Sequence, residues 1–437
     1  MSSISFSFKD SLISKEEIDS ESKRMDAEIK SMNRASSSGY EDDRSSINLP
    51  EDKKLLSSVR GAISKKMKLK PKCIVVVGIG GSNLGTVAVQ EAVLGKLHNQ
   101  MNPKIKIIYA DTVDTCLISD IKKIISSMLK NGENVIINGV SKSGATTETI
   151  ANFEVLVGVL KKYRNDYEEQ VVVTTDRNSK YWSLALKNGF DVLEIPKKVG
   201  GRYSVFSPVG LFPLGMVGVN IKKLLSGAAS MKKKCLVSPK YNPAAVSAII
   251  HFLHYKKGVN ISDLFLFGND FESIGKWNRQ LMGESIGKEY NLRNERVNCG
   301  MTPTVSIGST DLHSMAQLYL GGPYDKLTTF VKVSKASPSV KVPDFKEYSE
   351  LVESINGKKL SSIMDAIMEG VKYSYRKGKR PFTEIILPDK SENSVGQFLQ
   401  FKMMEMMCLG SLLGVNPFDQ PNVEDYKKET KNILNRR

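Results

Sequence analysis

Apolar runs of four to six residues recur along the chain, with amphipathic stretches of helical length between them. A first set occupies residues 73–77, 105–109, 134–138, 171–174 and 191–195. Short runs alternating with helix-length segments of period 3.6 predict βαβ units, and βαβ units predict a parallel sheet. A second set at 263–267, 304–307, 328–333 and 384–387 predicts a second sheet of the same kind, after a helical crossover at 221–255. Residues 394–415 predict one long apolar helix, in which the sulfur-rich FKMMEMMCLG is read as core packing. A helical tail closes the chain. The first 48 residues, rich in Ser, Lys, Asp and Glu, predict a short polar helix and then a flexible connection at 36–46, with nothing catalytic. The expected fold class is α/β, with two parallel-sheet domains and a helical C-terminal arm. Its expected boundaries are 1–48 for the polar segment, 49–220 for the first α/β domain, 221–255 for the crossover, 256–390 for the second α/β domain and 391–437 for the arm.

Length and composition agree with two buried cores. At 437 residues the chain exceeds the size at which a single core keeps growing. No apolar run approaches the ~20 residues that span a bilayer. The N-terminus lacks the charged start and uninterrupted apolar stretch of a secretory signal, so a soluble, cytoplasmic protein with no membrane partner is expected. The formal charge of +16 raises nucleic acid as a partner, but the lysines are scattered (Lys65, Lys66, Lys122, Lys123, Lys161, Lys162, Lys427, Lys428) and form no aromatic-interleaved tract. A solvated basic surface is expected, and no nucleic-acid partner. The five cysteines are widely spaced, without a CxxC pair or a histidine at zinc-finger distance, so neither disulfides nor a metal site is expected. Cys73 and Cys408 lie in apolar segments and are expected to be buried.

Ligands of an open parallel sheet bind beyond the carboxyl ends of its strands. There the strand at 73–77 runs into GIGGSNLG (78–85), whose glycines permit a tight turn and close approach, and then into a helix whose free N–H groups favour an anion. The spacing also fits a dinucleotide loop, for which Asp111 could supply the acidic residue. The third strand is followed by SKSGATTE (141–148), with Ser141, Ser143, Thr146 and Thr147 hydroxyls at a helix start. These suit a phosphate, although taken alone they also fit simple N-capping with Glu148 as a capping-box partner. Of four histidines only His313, in GSTDLHS, lies on a turn. Glu284, in QLMGESIGK, sits where the helical pattern breaks, where a carboxylate can be presented to a cleft. Arg202 follows two glycines in GGRYS and suits a developing oxyanion as well as a structural ion pair. FDQPNVEDYK ends the series with Gln420 and Lys427, and by itself this lysine reads as a surface cation.

Taken together, GIGGSNLG, SKSGATTE, GGRYS, QLMGESIGK, GSTDLHS and FDQPNVEDYK resemble the phosphoglucose isomerase family in content and order, from Gly78 to Lys427. The resemblance implies two sugar-isomerase (SIS-type) domains. It further implies reversible conversion of glucose 6-phosphate to fructose 6-phosphate, without cofactor or metal, in a homodimer with a shared active site. By the same resemblance Ser82, Ser141, Lys142, Ser143 and Thr146 match positions that hold the phosphate. Glu284 matches the base that moves hydrogen between C2 and C1, and Arg202 the positive group beside the cis-enediol intermediate. His313, supplied by the partner subunit, and Lys427 match the pair that opens the ring, while Gly81, Glu148, Gln280 and Gln420 match substrate contacts. Ala145 stands where Thr is common and Asn422 where Gly or Ala is usual; neither departure removes a catalytic group. The chemistry suits such a set, because one carboxylate can take a proton α to a carbonyl and return it to the neighbouring carbon.

Overall fold

A computed structural model describes residues 3–335 and 338–436. A short first strand, β1 (Ser5–Ser7), is followed by the strands of the first sheet: β2 (Cys73–Val77), β3 (Lys106–Ala110), β4 (Val135–Val140), β5 (Val171–Thr175) and β6 (Asp191–Glu194). Next come β7 (Ile261–Phe267), a hairpin of β8 (Lys288–Tyr290) and β9 (Arg296–Cys299), β10 (Thr302–Ile307), β11 (Lys326–Val333) and β12 (Phe382–Leu387). The first sheet is parallel in the order β3-β2-β4-β5-β6, and the second runs β1-β12-β11-β7-β10, with only β1 antiparallel. The parallel part of each sheet therefore starts from an internal strand, β2 or β7, and grows outward on both sides.

Every residue of β2, β4 and β5 is buried, which is why these strands read as unbroken apolar runs instead of alternating ones. The helices that follow the founding strands, Leu84–Leu94 after β2 and Glu272–Ile286 after β7, pack against each other. Sequence-distant motifs are thereby brought to one place. The long helix Glu392–Leu413 packs on Ile221–Cys235 and Pro243–Lys256, and its four methionines from 403 to 407 are at most 1% exposed, as core packing requires. Cys73 and Cys408 are buried free thiols, as anticipated.

The N-terminal region departs from expectation. Its helix runs through 21 residues, Lys15–Ala35, opens with a full Ser14/Glu17 capping box and buries Ile18, Met25, Ile29 and Met32 on one face. The stretch anticipated as a flexible connection is tied down. Asn48 Nδ2 donates to the Ala35 and Gly39 carbonyls, Tyr40 donates to Asp52, and Ser45 and Ser46 are buried. The apolar stripe at helical spacing outweighs the polar composition of the segment.

One charged network lies in the core. Glu405 of the long helix is fully buried, paired with Lys402, and accepts from Ser247 Oγ. His251 lies 3.7 Å from it and bonds to the Ser247 carbonyl and, at 3.1 Å, to Ser262 Oγ. Burial alone pushes the Glu405 carboxyl up, but Lys402 and His251 outweigh it and hold the carboxyl below its ordinary value. Burial lowers the His251 imidazole. Both groups bind protons more weakly folded than unfolded, so their contribution to stability is present at neutral pH and is lost as pH falls, first through the unfolded histidine range near ~6.5 and then through the carboxylate range. Lys402→Met leaves an uncompensated carboxylate and is expected to cost about 3–5 kcal/mol in urea unfolding, with most of it restored in Lys402→Met/Glu405→Gln. Equal stability of the single variant and the parent would show that the pair is not needed.

Candidate active site

The chain order within the first sheet reverses between β2 and β4, and the loops leaving their carboxyl ends flank the crevice that such a reversal opens. A Cβ on Gly78 would lie 3.0 Å from the Val140 carbonyl oxygen, so the two loops start in contact. Gly81 accounts for more of the geometry. A Cβ there would fall 2.3 Å from the Gly201 carbonyl carbon and 2.5 Å from the Arg202 nitrogen, distances that no side chain tolerates. The glycine is thus required by the protein's own turn Gly201–Tyr203, which it meets backbone to backbone. A Cβ on Gly80 (φ +56°) would lie 2.9 Å from Gln280 Nε2, which ties the same loop to the helix Glu272–Ile286.

In the second loop the hydroxyls of Ser141 and Thr146 lie 2.9 Å apart, the Gly144 N–H donates to Ser141 Oγ, and the Ala145 N–H donates to Ser143 Oγ. Thr175 donates to the Ser141 carbonyl and fixes the loop to the next strand. Thr146 precedes the helix Thr147–Tyr163, yet its hydroxyl turns back to Ser141 and does not cap the first-turn amides. Glu148 is the second residue of the helix, one short of the position a capping box needs. Ordinary capping therefore does not explain this loop, whose hydroxyls and helix N–H groups suit an anion. Half-buried Lys142 adds charge; burial pushes its ammonium below its ordinary value, opposed by Asp176 and Asp43.

The centre of the site is Arg202, with its side chain 1% exposed. Its five N–H donors meet five acceptors: Nε donates to Ser285 Oγ (2.9 Å), Nη1 to Glu284 Oε2 (3.1 Å) and Gln420 Oε1 (2.8 Å), and Nη2 to the Pro417 (2.6 Å) and Asp419 (3.1 Å) carbonyls. Glu284 is one-third exposed, and its other oxygen accepts from Gln280 Nε2 at 2.9 Å. The helix does not break before Glu284, as the sequence suggests, but continues to Ile286. Gln280 and Glu284 therefore lie four residues apart on one face, one turn from its end. A carboxylate held at both oxygens and still open to solvent can accept a proton from a molecule in the crevice.

Gly81, Gln280, Glu284, Arg202 and Gln420 are joined in this way, and Ser82 follows Gly81 on the same loop. His313 and Lys427 are not joined to Glu284. His313 is exposed on the turn after β10, behind the 3₁₀ turn Thr310–Leu312, and Lys427 pairs with Glu424 at 2.8 Å on the terminal helix Glu424–Asn435. His251 and His254 are buried in the helix Pro243–Lys256, and His98 bonds to the Ile105 carbonyl. Among the described residues no cluster of three His, Cys, Asp or Glu side chains is placed to hold a metal ion. Sequence reasoning missed Ser285 and Tyr203, whose hydroxyls bond to each other at 3.0 Å behind the guanidinium, and the buried Lys288, which bonds to Asp419. Ser285, Tyr203 and Asp419 are sequence neighbours of residues already singled out, Glu284, Arg202 and Gln420, but their type gives no signal that they face inward.

A family model described as "Phosphoglucose isomerase" matches residues 51–437. Among curated relatives, "Glucose-6-phosphate isomerase" of Carboxydothermus hydrogenoformans is 35% identical over 381 residues, which cover 85% of this chain and 81% of the relative. The protein of the same description from Methanocaldococcus jannaschii is 33% identical over 357 residues, 81% of this chain and 82% of its own. Of solved structures, a hypothetical protein from Thermus thermophilus superposes with a TM-score of 0.85 at 27% identity, covering 99% of both chains. A glucose-6-phosphate isomerase from Chlamydia trachomatis superposes at 0.84, covering 99% of this chain and 88% of its own, and at 18% identity it shows the fold alone.

The contact at Gly81 is directly testable. Gly81→Ala must push the facing backbones apart and is expected to cost about 1–3 kcal/mol in urea unfolding. Gly158→Ala, on the exposed face of the helix Thr147–Tyr163 with open space around it, is expected to gain about 0.5–1 kcal/mol. Equal effects at the two positions would contradict the packing described.

Proposed function

The chain belongs to the phosphoglucose isomerase family, and from that premise we propose how its residues divide the work of the reaction. It is an enzyme that interconverts glucose 6-phosphate and fructose 6-phosphate. In the proposed mechanism Ser82, Ser141, Lys142, Ser143 and Thr146 hold the phosphate, and Gly81, Glu148, Gln280 and Gln420 contact the sugar. His313 and Lys427 act as acid and base at the ring oxygen and anomeric hydroxyl. Once the chain form is free, Glu284 takes the proton α to the carbonyl and returns it to the neighbouring carbon through a cis-enediol. Negative charge grows on the oxygens at C1 and C2 as the proton leaves, and the fixed charge of Arg202 offsets it without a cofactor or metal.

The observation that carries this reading is the two-sided hold on Glu284 by Gln280 and by a buried guanidinium. It leaves the carboxylate oriented and one-third exposed, as a base for carbon acids needs to be. A homodimer with a shared site is part of the proposal. It is supported by the exposed position of His313 away from Glu284, and by the terminal helix Glu424–Asn435, which buries none of its residues while exposing Tyr426, Ile433 and Leu434. We also propose that the domains divide at 49–220 and 256–390, that the enzyme is cytoplasmic, and that it serves glycolysis and gluconeogenesis. Among the described residues no helix is long and apolar enough to cross a membrane.

In a coupled assay, glucose 6-phosphate is expected to turn over equally with and without chelator. Glu284→Gln keeps the shape and the Gln280 contact but removes the base, and it is expected to lower kcat by about 10²–10⁴-fold with KM little changed. Parent-like turnover in that variant would exclude Glu284 as the base.

A further inference from the structure

Lys288 has no part in the mechanism above, yet it is buried, with 4% of its side chain exposed. It opens β8, two residues beyond the helix that carries Glu284. Its Nζ donates to both the backbone carbonyl (2.5 Å) and Oδ1 (2.8 Å) of Asp419, the residue immediately before Gln420. A strongly hydrated ammonium is costly to bury, so a single lysine bonded twice to one residue fixes that residue's position. The next residue repeats the link on the other side of Gln420: Glu289 Oε2 accepts from Asn422 Nδ2 at 2.7 Å while Oε1 is paired with Arg296 across the hairpin. A third bond, from the Leu292 N–H to the Gly414 carbonyl at 2.8 Å, attaches the tip of the hairpin to the end of the long helix. Asn422 is the position where the resemblance leads one to expect Gly or Ala, neither of which could donate to Glu289.

We infer that Lys288 is a positioning residue for ring opening: through Asp419 it sets the turn that places Gln420 and starts the helix bearing Lys427, in register with Glu284. The Glu289–Asn422 bond steadies the far side of the same turn. The inference rests on the reading of Lys427 as a ring-opening group. Chemistry offers a readout that separates this step from isomerisation, because opening and reclosing the pyranose interconverts the two anomers of glucose 6-phosphate without transfer of the C2 proton.

Anomer exchange, measured by NMR magnetisation transfer on the full-length enzyme, is compared with net isomerisation in four variants. Glu284→Gln keeps exchange and loses isomerisation. Lys427→Met loses exchange. Lys288→Met is expected to lose exchange and isomerisation together, each by about 10- to 100-fold, with KM for fructose 6-phosphate within about threefold. Asp419→Asn, which removes the negative charge facing Lys288 on a side chain about half exposed, is expected to lose both in the same direction, and Lys288→Met/Asp419→Asn to be no worse than Lys288→Met alone, since the lysine variant already removes that pairing. Where Lys288→Met does not fold by circular dichroism, Asp419→Asn decides. Parent-like exchange in a folded Lys288→Met or Asp419→Asn enzyme, with exchange lost in Lys427→Met, overturns the inference alone. Parent-like exchange in Lys427→Met overturns the reading of Lys427, and the inference with it.

Discussion

A guanidinium cannot shed its charge, so a protein that buries one must supply acceptors for all five of its N–H groups. Arg202 is saturated in this way by Ser285, Glu284, Gln420 and the carbonyls of Pro417 and Asp419. These acceptors come from the helix after β7 and from the segment between the long helix and the terminal one, while the backbone of Arg202 itself is wedged against Gly81 of the first sheet. Breaking any one of these contacts leaves a charge or a carbonyl unpaired in the interior. The guanidinium therefore fixes the relative placement of three remote pieces of chain, and the Glu284 carboxylate, which bonds to it directly and stays one-third exposed, is left open to solvent.

The fold prepares this placement before any side chain acts. The parallel part of each sheet starts from an internal strand, and the helices leaving β2 and β7 pack together, so the loop leaving the carboxyl end of β2 meets the second helix at Gln280. Glycines 80 and 81 then remove the two Cβ atoms that would hold the loop away from Gln280 and Arg202. The hydroxyl loop after β4 is adjacent through Gly78 and Val140, which brings hydroxyls and helix N–H groups suited to an anion to the same end of the sheet. Phosphate binding and proton transfer can in this way be assigned to different elements, each stiffened by its own contacts.

Much of this was legible in the sequence because buried parallel strands announce themselves as continuous apolar runs. The run at 73–77 is the strand Cys73–Val77, and the run at 263–267 lies within Ile261–Phe267. The α/β class followed from that rhythm. The strands without such a signal are short and mostly polar: Ser5–Ser7 turns only Phe6 inward, and the hairpin of Lys288–Tyr290 with Arg296–Cys299 lies mostly at the surface. The N-terminal helix is longer than the polar composition of its segment suggests, because the spacing of Ile18, Met25, Ile29 and Met32 outweighs that composition. Motif order pointed to Arg202 and Glu284, but nothing local shows that they touch, since their hydrogen bond spans 82 residues. Lys288 has no local signal for a related reason: it is one of 63 basic residues, and the partner that buries it lies 131 positions away.

In the proposed mechanism the geometry of the buried fork, and not merely its charge, orients the base. Arg202→Lys tests it most directly, because the charge stays while the planar fork is lost. With kcat and KM measured for fructose 6-phosphate on folded protein, the account predicts a fall in kcat of about 10²-fold or more with KM changed only a few-fold. A lysine variant within threefold of parent kcat would contradict it.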